Sequence, residues 1–291
     1  INDPWVNIQL NSMSVEEKIA QLLMVPVYPK LDEERKAKVL QDIEKWKIGG
    51  ILVMQGTPSK TVSWINEFQE KSSTPLLVAI DGEWGAAMRI DSVLKFPYAQ
   101  AIGAVQDSTY IYQLGRDIGT QLKHMGIHVN FAPVADVNTN SANPVINFRS
   151  FGENKNNVAN KAWLIAHGMQ DVGVIAVAKH FPGHGDTDTD SHLTLPYLVH
   201  SKERMDSIET YPFRHLSNMG ICGIMSAHLN VPSLDSTGTP SSLSSKIIID
   251  YLKDEIGFKG FVVTDALNMK GVSKSGNVTL EAISGGNDLA E

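Results

Sequence analysis

Fourteen consecutive residues hold most of the side chains able to do chemistry: Lys179-His180-Phe181-Pro182-Gly183-His184-Gly185-Asp186-Thr187-Asp188-Thr189-Asp190-Ser191-His192. Histidine and aspartate at this density admit three readings. One is a metal site, since imidazole and carboxylate ligands suit zinc or iron. A helical His-x-x-x-His arrangement is excluded, because Pro182, Gly183 and Gly185 break any helix there. The second is general acid/base work. Asp190 and His192 stand two residues apart, so the carboxylate can orient the imidazole and raise its pKa. A histidine held this way can give and take a proton near neutral pH. The third is a solvated acidic loop with glycine turns. Residue types alone leave all three open.

Further candidates lie elsewhere in the chain. Asp265 ends the apolar run Phe261-Val262-Val263-Thr264, where a carboxylate is either a nucleophile toward a sugar carbon or a helix N-cap. Lys179 and His180 offer two cationic or donor groups suited to hydroxyl-rich or anionic ligands; alternatively they end a strand, with the lysine stem laid along apolar surface. Asp81 and Arg89 bracket Gly82-Glu83-Trp84-Gly85, a tight loop whose Trp84 could stack on a sugar ring or pack. Arg149, in Asn147-Phe148-Arg149-Ser150-Phe151-Gly152, fits a surface or a site equally on composition.

These residues need elements to hold them. Apolar runs of strand length appear at Leu22 to Val27, Ile48 to Met54, Leu76 to Ile80, Val129 to Val137, Val174 to Ala178, Ile221 to Met225 and Phe261 to Val263. Most are continuous rather than alternating, which suits parallel strands covered on both faces. Amphipathic stretches lie between them. Ile111, Leu114, Ile118, Leu122 and Met125 fall at helical spacing, as do Val158, Ala162, Ile165 and Met169. Ser14-Val15-Glu16-Glu17 is a capping box that opens a helix, and Gly49, Gly126 and Gly173 read as helix ends. Strand and helix alternate seven times, with no internal repeat or low-complexity tract. This predicts an α/β fold, a (β/α)8 TIM-type barrel incomplete at its C-terminal strand and helix. The sole candidate for an eighth strand is Gly286 to Glu291. A doubly wound open sheet satisfies the same alternation. In either fold Asp81, Asp136, Lys179, His180, His228 and Asp265 follow strands, so they gather on one face.

At 291 residues, 42% hydrophobic and 20% charged, the chain has the composition of a globular protein. We read residues 1–291 as a single barrel-type domain, either whole or part of a longer chain. The net charge of -7 and pI near 5.7 give no electrostatic footprint for a nucleic-acid partner or an anionic membrane. No apolar run approaches the length of a membrane span. The first residues lack a basic-then-apolar signal region, which predicts a leader absent or already removed. Cys222 is the single cysteine; its apolar surroundings predict a buried structural thiol.

Lys179 to His192, followed by Leu195-Pro196, closely resembles the signature loop of glycoside hydrolase family 3. Within that family it resembles the β-N-acetylglucosaminidase (β-N-acetylhexosaminidase) branch, written Lys-His-Phe-Pro-Gly-His-Gly and then Asp-Ser-His. Supporting motifs occur in the family's order: Ile80-Asp81-Gly82-Glu83, Asn130-Phe131-Ala132-Pro133-Val134-Ala135-Asp136, Arg149-Ser150-Phe151-Gly152, Met225-Ser226-Ala227-His228 and Thr264-Asp265-Ala266-Leu267-Asn268-Met269. The resemblance runs from about Ser14 onward. It implies a retaining hydrolase that needs no cofactor and no metal. It matches Asp265 to the nucleophile, His192 to the acid/base and Asp190 to its partner, and it matches Asp81, Arg89, Arg149, Lys179 and His180 to sugar-binding positions. The implied partner is an oligosaccharide or glycopeptide carrying terminal β-linked N-acetylglucosamine, from peptidoglycan or chitin. Many relatives carry Gln, Gly and Arg at the positions of Gly82, Trp84 and Ala86, a departure that bears on what lies beyond the cleaved sugar. The competing expectations are a metal-dependent hydrolase built on the loop histidines, a phosphorylase, and a sugar-binding module without catalysis.

Overall fold

The computed structural model describes residues 3–30, 33–189, 195–272 and 277–291. Seven parallel strands follow one another in sequence order: β1 Met24–Val27, β2 Gly50–Val53, β3 Leu77–Ile80, β4 Val129–Asn130, β5 Ile175–Phe181, β6 Gly223–Ser226 and β7 Phe261–Thr264. Each is followed by helix, the longer ones being Glu33–Trp46, Pro58–Lys71, Ser108–Lys123, Lys155–Asp171 and Lys246–Glu255. Local chemistry starts these helices where expected. Ser14 and Glu17 form the capping box ahead of Val15–Ala20, and Asp107 and Asn154 accept amide hydrogen bonds at the starts of Ser108–Lys123 and Lys155–Asp171.

The strands are apolar on both faces because both faces are buried. Ile51, Val53, Val78, Ile80, Ala176, Ala178, Ile224 and Val262 pack outward against Ile118, Leu122, Ile165, Met169 and Leu252 of the helices. The alternate residues Met24, Leu52, Ala79, Val129, Val177, Met225 and Val263, one from each strand, gather with Phe131 into a second cluster. A sheet whose first and last strands feed one inner cluster is curled. The segment Asp288 to Ala290 bridges its two edges. The amides of Asp288 and Leu289 donate to the Val262 carbonyl at 2.8 and 3.1 Å, and Thr264 N donates to Leu289 O at 3.1 Å. On the other side Ala290 N donates to Leu22 O and Met24 N to Ala290 O, both at 2.9 Å. This is an α/β fold with a curled parallel seven-stranded sheet of the TIM-like kind. The open-sheet alternative is set aside, since it would leave β1 and β7 at separate edges.

Four local expectations need correction. The run at Val129 to Val137 is strand only over Val129–Asn130; Pro133 has no amide to continue a ladder. β5 does not stop before Lys179 but runs through Phe181, with a register shift against β6 between Ala178 and Phe181. Gly49 is not a helix end. Lys47 takes the left-handed turn there (φ 56°), while a Cβ on Gly49 would lie 1.9 Å from Gln21 O, so close backbone approach explains the glycine. Cys222 is exposed; it precedes β6 where the chain enters the sheet, and its flanking apolar residues turn inward without it. Among the described residues no helix is long and apolar enough to span a bilayer.

Candidate active site

The ends of the strands bring the polar residues into one connected network. Lys179, in β5, donates to Asp81 Oδ1 (2.7 Å) and stands 2.8 Å from Glu83 Oε1, both in the loop after β3. Arg89 Nη2 donates to the other Asp81 oxygen at 2.7 Å. Arg149 grips Glu83 with two parallel bonds, Nε to Oε2 at 2.9 Å and Nη2 to Oε1 at 2.7 Å, the fork geometry that makes an arginine pair strong. Its Nη2 also donates to His180 Nε2 (3.2 Å), leaving His180 Nδ1 to donate to Asp136 Oδ2 at 2.7 Å. Asp136 in turn accepts the backbone amides of His180 and His184. All five expected sugar-binding residues, Asp81, Arg89, Arg149, Lys179 and His180, therefore belong to one chain of contacts.

Backbone irregularity puts them there. The register shift in β5 re-aims the residues that follow it, and Lys179 and His180 stay buried within the strand. Asn130 of β4 clasps the Asp81 loop, accepting from Gly82 N (2.9 Å) and donating to Gly82 O (3.1 Å). Gly185 lies so close to the backbone of Val137 that a Cβ would meet its carbonyl oxygen at 2.0 Å.

Asp265 stands at the end of β7. Its amide donates to Ser226 O, and its Oδ1 accepts from Ala266 N at 2.9 Å. Burial alone would raise its pKa, but His180 and His228, the Ala266 amide and Lys179 outweigh it and hold the carboxyl at about 2. Asp265 is thus an ionised carboxylate at neutral pH. It lines a cavity of about 450 Å³ together with Asp81, Arg89, Tyr28, Met54 and Glu291, a size in the range of roughly 300–1,000 Å³ typical of small-ligand sites. Burial opposes charge on Lys179 as well, yet Asp81 and Glu83 more than compensate and keep it an ammonium. Lys179 and Arg149 likewise hold Glu83 far below the usual carboxylate range against its burial.

The expected proton donor His192 and its partner Asp190 lie outside the described residues. The described part of their loop is anchored. Asp186 accepts from His200 Nε2 (2.8 Å), and Thr187 Oγ1 contacts His184 Nδ1 at 2.8 Å. Both ring nitrogens of His180 are engaged within the protein, by Arg149 and Asp136. The one group of potential metal ligands among the described residues is Asp186, His200 and Glu209, where Arg204 already pairs with both carboxylates. Trp84 packs edge-on against Tyr98, with ring centroids 4.8 Å apart.

The glycosyl hydrolase family 3 N-terminal domain matches residues 14–290. The chain belongs to glycosyl hydrolase family 3. It is 36% identical over 275 residues to beta-hexosaminidase A of Pseudoalteromonas piscicida, covering 85% of this chain and 46% of that protein. It is 31% identical over 245 residues to a beta-hexosaminidase of Nitrosomonas eutropha, covering 81% of this chain and 70% of that one. The solved family 3 beta-N-acetylglucosaminidase of Paenibacillus sp. superposes with a TM-score of 0.89 at 35% identity, over 96% of this chain and 55% of that structure. The chain thus spans about half the length of the first relative and of this structure.

Seen as a family 3 site, the cleft contains residues that sequence reading did not assign. Glu83 joins Lys179 to Arg149, and Asp136 orients His180; both lie within the quoted motifs, so their motif membership was the available signal. His228 lies beside Asp265, with Nδ1 2.6 Å from Ser242 Oγ and Nε2 donating to Ala266 O at 3.0 Å. Glu291 ends the candidate eighth strand, Gly286 to Glu291, but nothing local marked its carboxyl as part of a cleft.

Proposed function

We propose that this family 3 chain is the catalytic domain of a retaining β-N-acetylhexosaminidase, with the (β/α)8 topology completed at the Asp288 to Ala290 segment. One observation carries the reading: Asp265 is a half-buried, ionised carboxylate on a cavity that Asp81 and Arg89 also line, and Asp81 continues into the Lys179–Glu83–Arg149–His180 network. Asp265 would attack the anomeric carbon of a terminal β-linked N-acetylglucosamine or N-acetylhexosamine. The glycosidic C–O bond breaks as His192, assisted by Asp190, delivers a proton to the leaving oxygen, and a glycosyl ester forms on Asp265. His192 then takes a proton from water as that water attacks the ester, so two inversions give net retention. A carboxylate held at about 2 stays ionised for the first step and leaves readily in the second. The donors and acceptors of Lys179, His180, Arg149, Arg89 and Asp81 would hold the sugar hydroxyls. The relatives' names support the sugar, and their bacterial sources suit peptidoglycan or chitin fragments as substrates.

Hydrolysis of an aryl β-N-acetylglucosaminide is the test. Asp265→Ala should lower kcat by about 10³-fold or more. His192→Ala should lose far less on this activated leaving group, which needs little protonation. Wild-type rate should survive EDTA, and a 2-fluoro sugar should leave a covalent adduct on the peptide containing Asp265. Unchanged activity in Asp265→Ala, or an adduct on another residue, would remove the nucleophile assignment. Loss of activity to chelator would favour a metal-dependent reaction.

A further inference from the structure

The wall of the cavity between β7 and β1 carries a carboxyl group with no part in the steps above. Glu291 is fixed by its backbone: its amide donates to Thr264 Oγ1 and its carbonyl accepts from Leu267 N, both at 3.0 Å. Its side chain lines the same cavity as Asp81, Arg89 and Asp265. The two carboxylates beside it have partners within the protein. Asp81 has one oxygen on Lys179 and the other on Arg89, and Asp265 accepts from Ala266 N. Glu291 Oε2, by contrast with these carboxylates, is buried without a hydrogen-bond partner, as is Arg89 Nε on the same cavity. Buried polar atoms are almost always paired, so an unpaired one on a ligand cavity calls for a ligand atom.

We propose that Glu291 is a substrate-contacting, specificity-determining residue whose Oε2 hydrogen-bonds a hydroxyl group of the sugar held over Asp265. This rests on the glycosidase reading above. The ligand group is an uncharged hydroxyl rather than an anion, because Asp81 and Asp265 already place two carboxylates on this cavity. The same surroundings define the form of Glu291. Burial first, then the fields of Asp81 and Asp265, push its carboxyl far above the usual range despite Lys179 and Arg89. In its protonated form the carboxyl can donate to the hydroxyl as well as accept from it, and in its ionised form it can accept.

The experiment compares wild type, Glu291→Gln and Glu291→Leu on an aryl β-N-acetylglucosaminide and on its monodeoxy analogues. Glu291→Gln keeps a donor and an acceptor and should hold kcat/KM within about threefold. Glu291→Leu should lose about tenfold or more on the parent, the usual scale for one hydrogen bond in a dry site. On one deoxy analogue alone, the gap between wild type and Glu291→Leu should close to within about twofold, since the missing hydroxyl is the missing partner. A purely structural role would lower every substrate in parallel, and that result, or variants matching wild type throughout, would overturn the assignment. Wild-type enzyme without turnover on any of these sugars would instead sink the glycosidase reading, and this assignment with it.

Discussion

Lys179 holds two carboxylates with one ammonium, and at 2% exposure it does so almost without water. Such a buried cluster stays charged only because each desolvated group meets an opposite charge at hydrogen-bond distance. His184 shows the reverse case. It is buried beside His180, its Nε2 has no partner, and burial and then the neighbouring His180 lower its pKa to about 4. In the unfolded chain the same imidazole takes a proton near pH 6.5. Between these values the unfolded state binds more protons, so stability falls as pH falls through the window. His184 therefore contributes fully above about pH 6.5, and about 3 kcal/mol is lost by pH 4. Urea unfolding of wild type and His184→Gln should show the two stabilities converging from pH 7 to pH 4. Parallel curves would mean that His184 is not kept neutral.

At the scale of elements, a strand delivers its chemistry through departures from regularity. β5 carries apolar residues through Ala178 and then, across the register shift, presents Lys179 and His180 to the network. The loop that follows returns against Val137 through Gly185 and is tied to helix-borne Glu209 through Arg204 and Asp186. Gly185→Ala should destabilise the protein by about 1–3 kcal/mol, because its methyl would press on the Val137 carbonyl and the backbone would have to shift. Denaturant titration measures this, and a change below about 0.5 kcal/mol would show that the loop does not need this close approach.

For the whole molecule, the inner cluster and the Asp288 to Ala290 segment together determine the shape of the cleft. Leu289 packs on the inner cluster and its backbone bonds β7; the next residue bonds β1. Leu289→Ala should cost about 2 kcal/mol, the lower end for a partly buried leucine, and should lower activity, since Glu291 and Asp265 share that closure. Thermal denaturation with parallel assays checks it. Full stability in Leu289→Ala would mean that the inner cluster does not depend on this segment.

Much of this was readable in one dimension. The seven apolar runs marked the strands because parallel strands buried on both faces need continuous hydrophobicity, and helical spacing marked what lay between them. Asp81, Lys179, His180 and Asp265 could be named because chemistry-bearing side chains at strand ends stand out from apolar runs, whereas Arg89 and Arg149 were named only through the resemblance to the family's motifs. Pairing was not readable. That Arg149 grips Glu83, that Asp136 turns His180, and that Cys222 faces outward depend on contacts between residues far apart in the chain. Closure was readable only in part: Gly286 to Glu291 stood out as the one candidate eighth strand, but that it reaches β1 through backbone hydrogen bonds, which any residue type can make, depends on the curling of the sheet. Glu291 is the clearest case. Its sequence neighbours give it no distinction; only the curling of the sheet sets it beside Asp81 and Asp265, and burial there raises the pKa of its carboxyl.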